Sequence, residues 1–284
     1  MKTHLIFIIL LLLLLQANIH AQEPWIRLSP VPIESSLKEI IQLPGTNRIM
    51  AVGTGASLLY TNDMGENWHI SYKPTGVSRF VTFNAIHFVD EAIGYVVGSK
   101  ATILKTEDGG INWENISPTG TYNILDVFFL SESIGIITRV ESIWKTIDGG
   151  ITWDSVPADG ILNNPTQLHF VNDSVGYFSN KWGSVYYKST DLGESWHQTE
   201  INPPIEGLYI TAVNFLNEDT GFVSGTVSSM SNIDHYILKT INGGNTWYPV
   251  NYNTSIGTHE LYFYNDSIGF SVGQQYYGDV FFRT

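Results

Sequence analysis

The sequence predicts an all-β fold of repeated four-stranded antiparallel sheets, and three observations predict it. An eight-residue pattern, [Ser/Thr]-x-[Asp/Asn]-x-Gly-x-x-Trp, occurs five times, ending at Trp68, Trp113, Trp153, Trp196 and Trp247, at spacings of 40 to 51 residues. A second signature precedes or follows each copy: Phe88, Phe129, Phe170, Phe215 and Phe263, each followed six positions later by Gly94, Gly135, Gly176, Gly221 and Gly269. Two residues before each of these phenylalanines stands Ile86, Val127, Leu168, Val213 or Leu261, the period-two mark of a strand, and no helical periodicity interrupts the chain. A four-strand unit repeating at this length is the sequence signature of a β-propeller, because one such sheet cannot bury both faces until it packs against copies of itself.

Taken from the start, Lys2, the eleven apolar residues Leu5 to Leu15 and the small Ala21 read as a cleavable export signal over residues 1–21. Eleven residues are too few to span a bilayer as a helix. Among 284 residues there is no cysteine, so neither a disulfide nor an acylated N-terminal cysteine is available. The expectation is a secreted or periplasmic protein of bacterial type, with residues 22–284 as one domain. Trp25 in "EPWIRLSPVP" occupies the place of a repeat Trp, so residues 25–31 read as a lone fourth strand, D. Five complete units follow; in one of them strands A to D are "NILDVFF", "IGIITRV", "SIWKT" and "TWDSVP". The closing "GDVFFRT" matches a third strand, C. A leading D and a trailing A–B–C share one blade, which predicts a six-bladed β-propeller of four-stranded antiparallel blades, the last closed by the N-terminal strand. The alternative is a seven-bladed propeller truncated at the C-terminus.

The repeated octapeptide lies on the C–D hairpin. Its Asp or Asn (Asp63, Asp108, Asp148, Asp191, Asn242) is expected to accept backbone N–H groups two or three residues on. Its glycine (Gly65, Gly110, Gly150, Gly193, Gly244) permits positive φ, its hydroxyl ties the turn to a neighbour, and its Trp covers the apolar side of the hairpin. Each copy supplies one carboxylate where calcium takes several oxygens, so no metal and no cofactor is predicted.

These residues are the Asp-box motif, and the chain resembles the Asp-box (BNR-like) propellers, a set that includes sialidases, sortilin-type receptors and xyloglucan-cleaving glycosidases. The wording "KTEDGGINW" and "KTIDGGITW", with "GYVVG" before the first, looks most like the photosystem II assembly and stability factor family. That resemblance implies a propeller whose boxes are structural and which binds a protein or glycan without catalysis.

Composition and motifs narrow the chemistry. A formal net charge of −13 repels nucleic acid and anionic lipid, and the chain is read as a monomer that does not insert into membranes. A sialidase would need an arginine triad and an Arg-Ile-Pro start, and "WIRLSPVP" lacks the latter. A glycoside hydrolase needs two facing carboxylates. Asp126 and Glu260 share one strand A position, with Gln167 their counterpart, and are the pair for the alternative reading, a glycoside hydrolase of the Asp-box propellers, although they fall on the third and sixth blades, across the ring from one another. His87 and His169 share another strand A position and read as packed strand residues. Recognition is expected on the face opposite the boxes, whose B–C and D–A loops vary: Arg79, Arg139, Glu141, Trp182, Met230, Asp234, His235, Tyr276 and Tyr277 are its candidate binding residues.

Overall fold

The computed structural model describes residues 36–283 apart from 72–75, 161, 181–182, 203, 229–232, 253–256, 264 and 276–277. Among the described residues, six antiparallel sheets follow one another in sequence. Five have four strands, over residues 37–70, 83–115, 124–156, 165–200 and 208–252, and the sixth has three, over 257–283. Within every sheet the strands pair in sequence order, A to D. This is the β-propeller that the repeats predict, and the three-stranded sheet is the trailing A–B–C unit. The six sheets are compatible with six blades; the strand expected at 25–31 lies outside the described residues.

The Phe–Gly signature explains how a blade meets its neighbour. In register, Phe88 pairs with Gly94, Phe129 with Gly135, Phe170 with Gly176, Phe215 with Gly221 and Phe263 with Gly269. Each ring folds over its glycine so closely that a Cβ at Gly135 would stand 2.5 Å from the Phe129 ring. On its other side the ring receives the residue after the glycine of the preceding blade. Tyr95 stacks on Phe129 at 3.5 Å between centroids, Tyr177 on Phe215 at 3.8 Å and Phe222 on Phe263 at 3.4 Å. The repeat Trp meets the same phenylalanine edge-on: Trp113 with Phe88, Trp153 with Phe129, Trp196 with Phe170 and Trp247 with Phe215. Edge-to-face and stacked pairs together fix the ring on both faces, which is the arrangement aromatic quadrupoles favour.

A second device closes each seam. Strand A is a sheet edge, so every other N–H along it lacks a partner within its own blade. Side chains of the preceding blade accept those protons. Glu39 takes the N–H of Ile86 at 2.6 Å, Asp126 that of Leu168 at 2.8 Å and Gln167 that of Val213 at 3.0 Å. Two residues further along, His87 accepts from Phe129 at 3.3 Å, His169 from Phe215 at 3.0 Å and Asn214 from Phe263 at 3.1 Å. Every described seam has at least one such strap, and all six run from a blade to the one after it.

Candidate functional site

The connections fall on two faces. On one, the A–B turn hydrogen-bonds the box of its own blade: Gly109 donates to Ala92 O, Gly149 to Ser133 O and Gly243 to Asp219 O. On the other, D–A loops lock into B–C turns: Ala56 donates to Val81 O, Ala101 to Tyr122 O and Asn164 to Val140 O.

The box geometry repeats in all five copies. The first hydroxyl donates to the Asp or Asn two residues on, as Thr146 does to Asp148 at 2.7 Å. The same oxygen accepts the box glycine N–H, at 2.9 to 3.1 Å across Gly65, Gly110, Gly150, Gly193 and Gly244. Those glycines have φ between +73° and +97°, which a side chain would strain. Two expectations change here. The hydroxyl ties the turn to itself rather than to a neighbour, because Oγ sits over the centre of its own loop. The carboxylate reaches four residues on: Asn67, Asn112, Thr152 and Ser195 each give it both a backbone N–H and a side-chain proton. The residue before the Trp is therefore a working motif position, and its restriction to Asn, Thr or Ser was the sequence signal. These donors hold the carboxyls of Asp63 and Asp148 at about 2, through Thr61 first at Asp63 and Thr152 first at Asp148. The boxes are saturated turns with no oxygen left over for chemistry.

Asp126 is similarly engaged. One carboxylate oxygen accepts the Leu168 N–H across the seam and the other accepts Val127 N–H at 2.8 Å. Glu260 holds the same position in the sixth sheet, with its side chain outside the described part. His87 and His169 are seam acceptors, and burial pushes His87 down to about 4 and lowers His169. A serine–histidine–aspartate array does occur at the surface, unforeseen from sequence: His197 Nδ1 is 2.9 Å from Asp159 and Nε2 is 3.3 Å from Ser195 Oγ. The Ser195 hydroxyl, however, donates to Asp191 at 2.6 Å, so it is a box donor and not a poised nucleophile.

The face opposite the boxes gathers cations and rings over the second and third blades. Arg139 closes strand B of the third blade with its guanidinium 3.6 Å from the Tyr122 ring centroid and 4.9 Å from that of Trp144, its Nε buried without a hydrogen-bond partner. In the neighbouring D–A loop Arg79 lies 5.0 Å from the ring of Phe80, which is 72% exposed. Lys100 Nζ approaches the same ring at 6.0 Å. Lys100 and Ala101 form a B–C turn with φ of +59° and +54°, where the equivalent turn of the first blade has Gly55 and Ala56. Lysine thus stands in a glycine slot, held there by the Ala101 N–H on Tyr122 O at 2.6 Å. Non-glycine residues in this region cost on the order of 1 kcal/mol and concentrate at functional sites.

Of the candidate residues, Arg79, Arg139 and the exposed Glu141 share this face. Asp234 and His235 belong to strand C, Ile233–Thr240, rather than to a loop, because strands A, B and C of the fifth blade run to eight residues each. Trp182, Met230, Tyr276 and Tyr277 lie outside the described residues. Phe80, Lys100, Tyr122 and Trp144 were missed; the Arg-Phe pair in an irregular loop was the available signal.

Comparison with known proteins follows from this architecture. The family model for photosynthesis system II assembly factor YCF48 matches residues 74–202. The chain is a BNR-like propeller similar to the photosystem II assembly factors. The photosystem II assembly lipoprotein Ycf48 of a Nostoc species is 28% identical over 180 residues, covering 62% of this chain. That match spans half the length of the relative. Among solved structures, YCF48 bound to a D1 peptide superposes with a TM-score of 0.52 at 18% identity, over 86% of this chain and 95% of that one. YCF48 from Cyanidioschyzon merolae gives 0.58 at 16% identity, over 90% and 97%. The GH74 xyloglucanase of Xanthomonas campestris gives 0.65 at 14% identity, over 86% of this chain but 44% of that enzyme. At such identities these structures establish the fold alone. No helix among the described residues of this assembly-factor-like propeller is long and apolar enough to cross a membrane.

Proposed function

We propose that this propeller is an exported, non-catalytic scaffold at the bacterial envelope that binds a segment of a partner protein on the face opposite its boxes. The observation that carries the reading is the cation–aromatic arc of Arg79, Phe80, Lys100, Tyr122 and Arg139, built on a strained lysine turn. Exposed aromatics and arginines are the usual anchors of protein interfaces. The similarity to YCF48, which has been seen bound to a D1 peptide, supports protein over glycan as the ligand. The saturated hydrogen bonding of Asp126 supports binding over hydrolysis.

The test places a photo-cross-linking amino acid at Phe80 in cells that make the protein, with Tyr248 on an outer strand as control. The expected result is a discrete protein adduct from position 80, absent from position 248 and reduced at least about fivefold by Arg139→Ala. Equal labelling at both positions, or labelling indifferent to Arg139→Ala, would overturn the reading. Recovery of the protein in the cytoplasmic fraction would overturn its exported location.

A further inference from the structure

The box face carries an unused feature of its own. Large aliphatic side chains project from the box tips: Ile147 is 72% exposed and Ile151 79%, Ile241 and Ile111 are exposed at the equivalent positions, and Met64 and Leu192 are exposed at the fourth position of their own boxes. Turn chemistry does not require them, since the box bonds use only the hydroxyl, carboxylate, glycine and the residue before Trp. The tips of the third and fourth blades are joined directly, because Lys145 Nζ donates to Leu192 O at 2.8 Å and to Glu194 at 2.6 Å. Ile147, Ile151 and Leu192 therefore stand on one braced surface rather than singly.

Charge says what covers it. The lysines that end the C strands are turned to structural use: Lys105 pairs with Glu107, Lys145 with Glu194, Lys239 with Asp266 O, and Lys188 lies over Tyr177. Exposed carboxylates surround the aliphatic tips: Glu66 and Glu114, the lysine-paired Glu107 and Glu194, and in the A–B turns Glu91, Glu132, Asp173, Glu218, Asp219 and Asp266, so that acids outnumber the lysines among them. Glu107, Asp108 and Glu114, with Lys105 and Trp113, also line a cleft of about 290 Å³ beside the second box, so that its acids exceed its one cation. The box face of a second copy or an anionic lipid surface would be repelled by this face.

We propose that the box face is a second docking surface, whose occupant is a cationic amphipathic segment of a partner protein, aliphatic residues seated on the box-tip isoleucines and Lys or Arg residues on the surrounding carboxylates. The surface is independent of the arc on the opposite face, so the protein can hold two partners at once. The probe is a fluorescein-labelled helical peptide of leucine and lysine, compared with its leucine–glutamate counterpart and with neutral phosphatidylcholine vesicles. Expected results are saturable binding of the lysine peptide, weakened at least about tenfold by Ile147→Ser with Ile151→Ser and by less, about threefold, by Glu107→Gln with Glu114→Gln. Phe80→Ser leaves it unchanged, which separates this surface from the arc. All substitutions are at exposed positions, and an unchanged melting curve verifies that the fold is intact. Binding that survives the double isoleucine variant within twofold, or that Phe80→Ser weakens equally, overturns the proposal. So does binding of the glutamate peptide, or co-sedimentation with the vesicles that depends on Ile147 and Ile151.

Discussion

At the scale of single residues, the glycine beneath each strand A phenylalanine is the least replaceable position. Gly135→Ala drives a methyl into the Phe129 ring, which is pinned from behind by Tyr95 at 3.5 Å and from the edge by Trp153. Overpacking of this kind costs about 1–3 kcal/mol, and a lowered urea midpoint with unchanged slope is the expected observation. The two seam histidines make a second prediction, in pH. Each accepts a backbone N–H, so it folds neutral, with His87 at about 4 and His169 also below the ordinary value of 6.5. In the unfolded chain both take up protons from about pH 6.5 downward, so stability is full above that value and is lost as pH falls towards 4. Replacing both with Asn, the residue that does the same work at position 214, should flatten thermal stability between pH 6.5 and 4. The box aspartates, held low by their donors, contribute their own loss only at more acid pH, below the ordinary carboxylate range. Unchanged acid sensitivity in the double variant would remove the histidines from the explanation.

At the scale of the element, the seam strap and the box turn make opposite demands on their carboxylates. Asp126 accepts an N–H on each oxygen, from Leu168 across the seam and from its own neighbour Val127, so Asp126→Asn keeps one acceptor and should lose less stability than removal of the whole carboxylate. Asp126→Ala, which strands the Leu168 N–H, should lose about 1–3 kcal/mol in denaturant titration without altering partner capture. A loss of binding in both variants would instead restore a functional carboxylate. In the box, Thr146→Val removes one donor and one acceptor at once, and a cost of about 1–2 kcal/mol is expected from the same titration. How much of this was legible in the sequence differs by element. The boxes, the paired Phe and Gly and the four-strand repeat were visible because each is a fixed residue type at a fixed offset. Seam straps were not, because Glu39, Asp126, Gln167, His87 and Asn214 do one job with five side chains, and only the backbone positions recur. The arc around Arg139 was half legible: a variable loop advertised its arginine, whereas Tyr122 and Trp144 come together from a different loop and a different strand.

For the molecule as a whole, the faces have opposite character. The turns of the box face hold most of the exposed acid, and the cations left for recognition, Arg79, Lys100 and Arg139, stand on the other face. Composition showed only the sum, −13, and a sum cannot disclose a separation. Because each blade touches its neighbours in sequence through local contacts, damage at separate seams should also be separate. Asp126→Ala acts between the third and fourth blades and Phe263→Ala between the fifth and sixth; their costs in the double variant are expected to add within about 0.5 kcal/mol. A large excess would mean that strain passes through the two intervening blades.

The straps have one further consequence. All six side-chain acceptors point the same way along the chain, so the array has a sense of rotation, as a ratchet has. A duplicated blade inserted anywhere would present the acceptor its successor needs and the amide its predecessor needs. Such an architecture can grow or shrink by whole units in evolution without any joint being reinvented, whereas a blade inserted in reverse would leave amides facing amides on both sides.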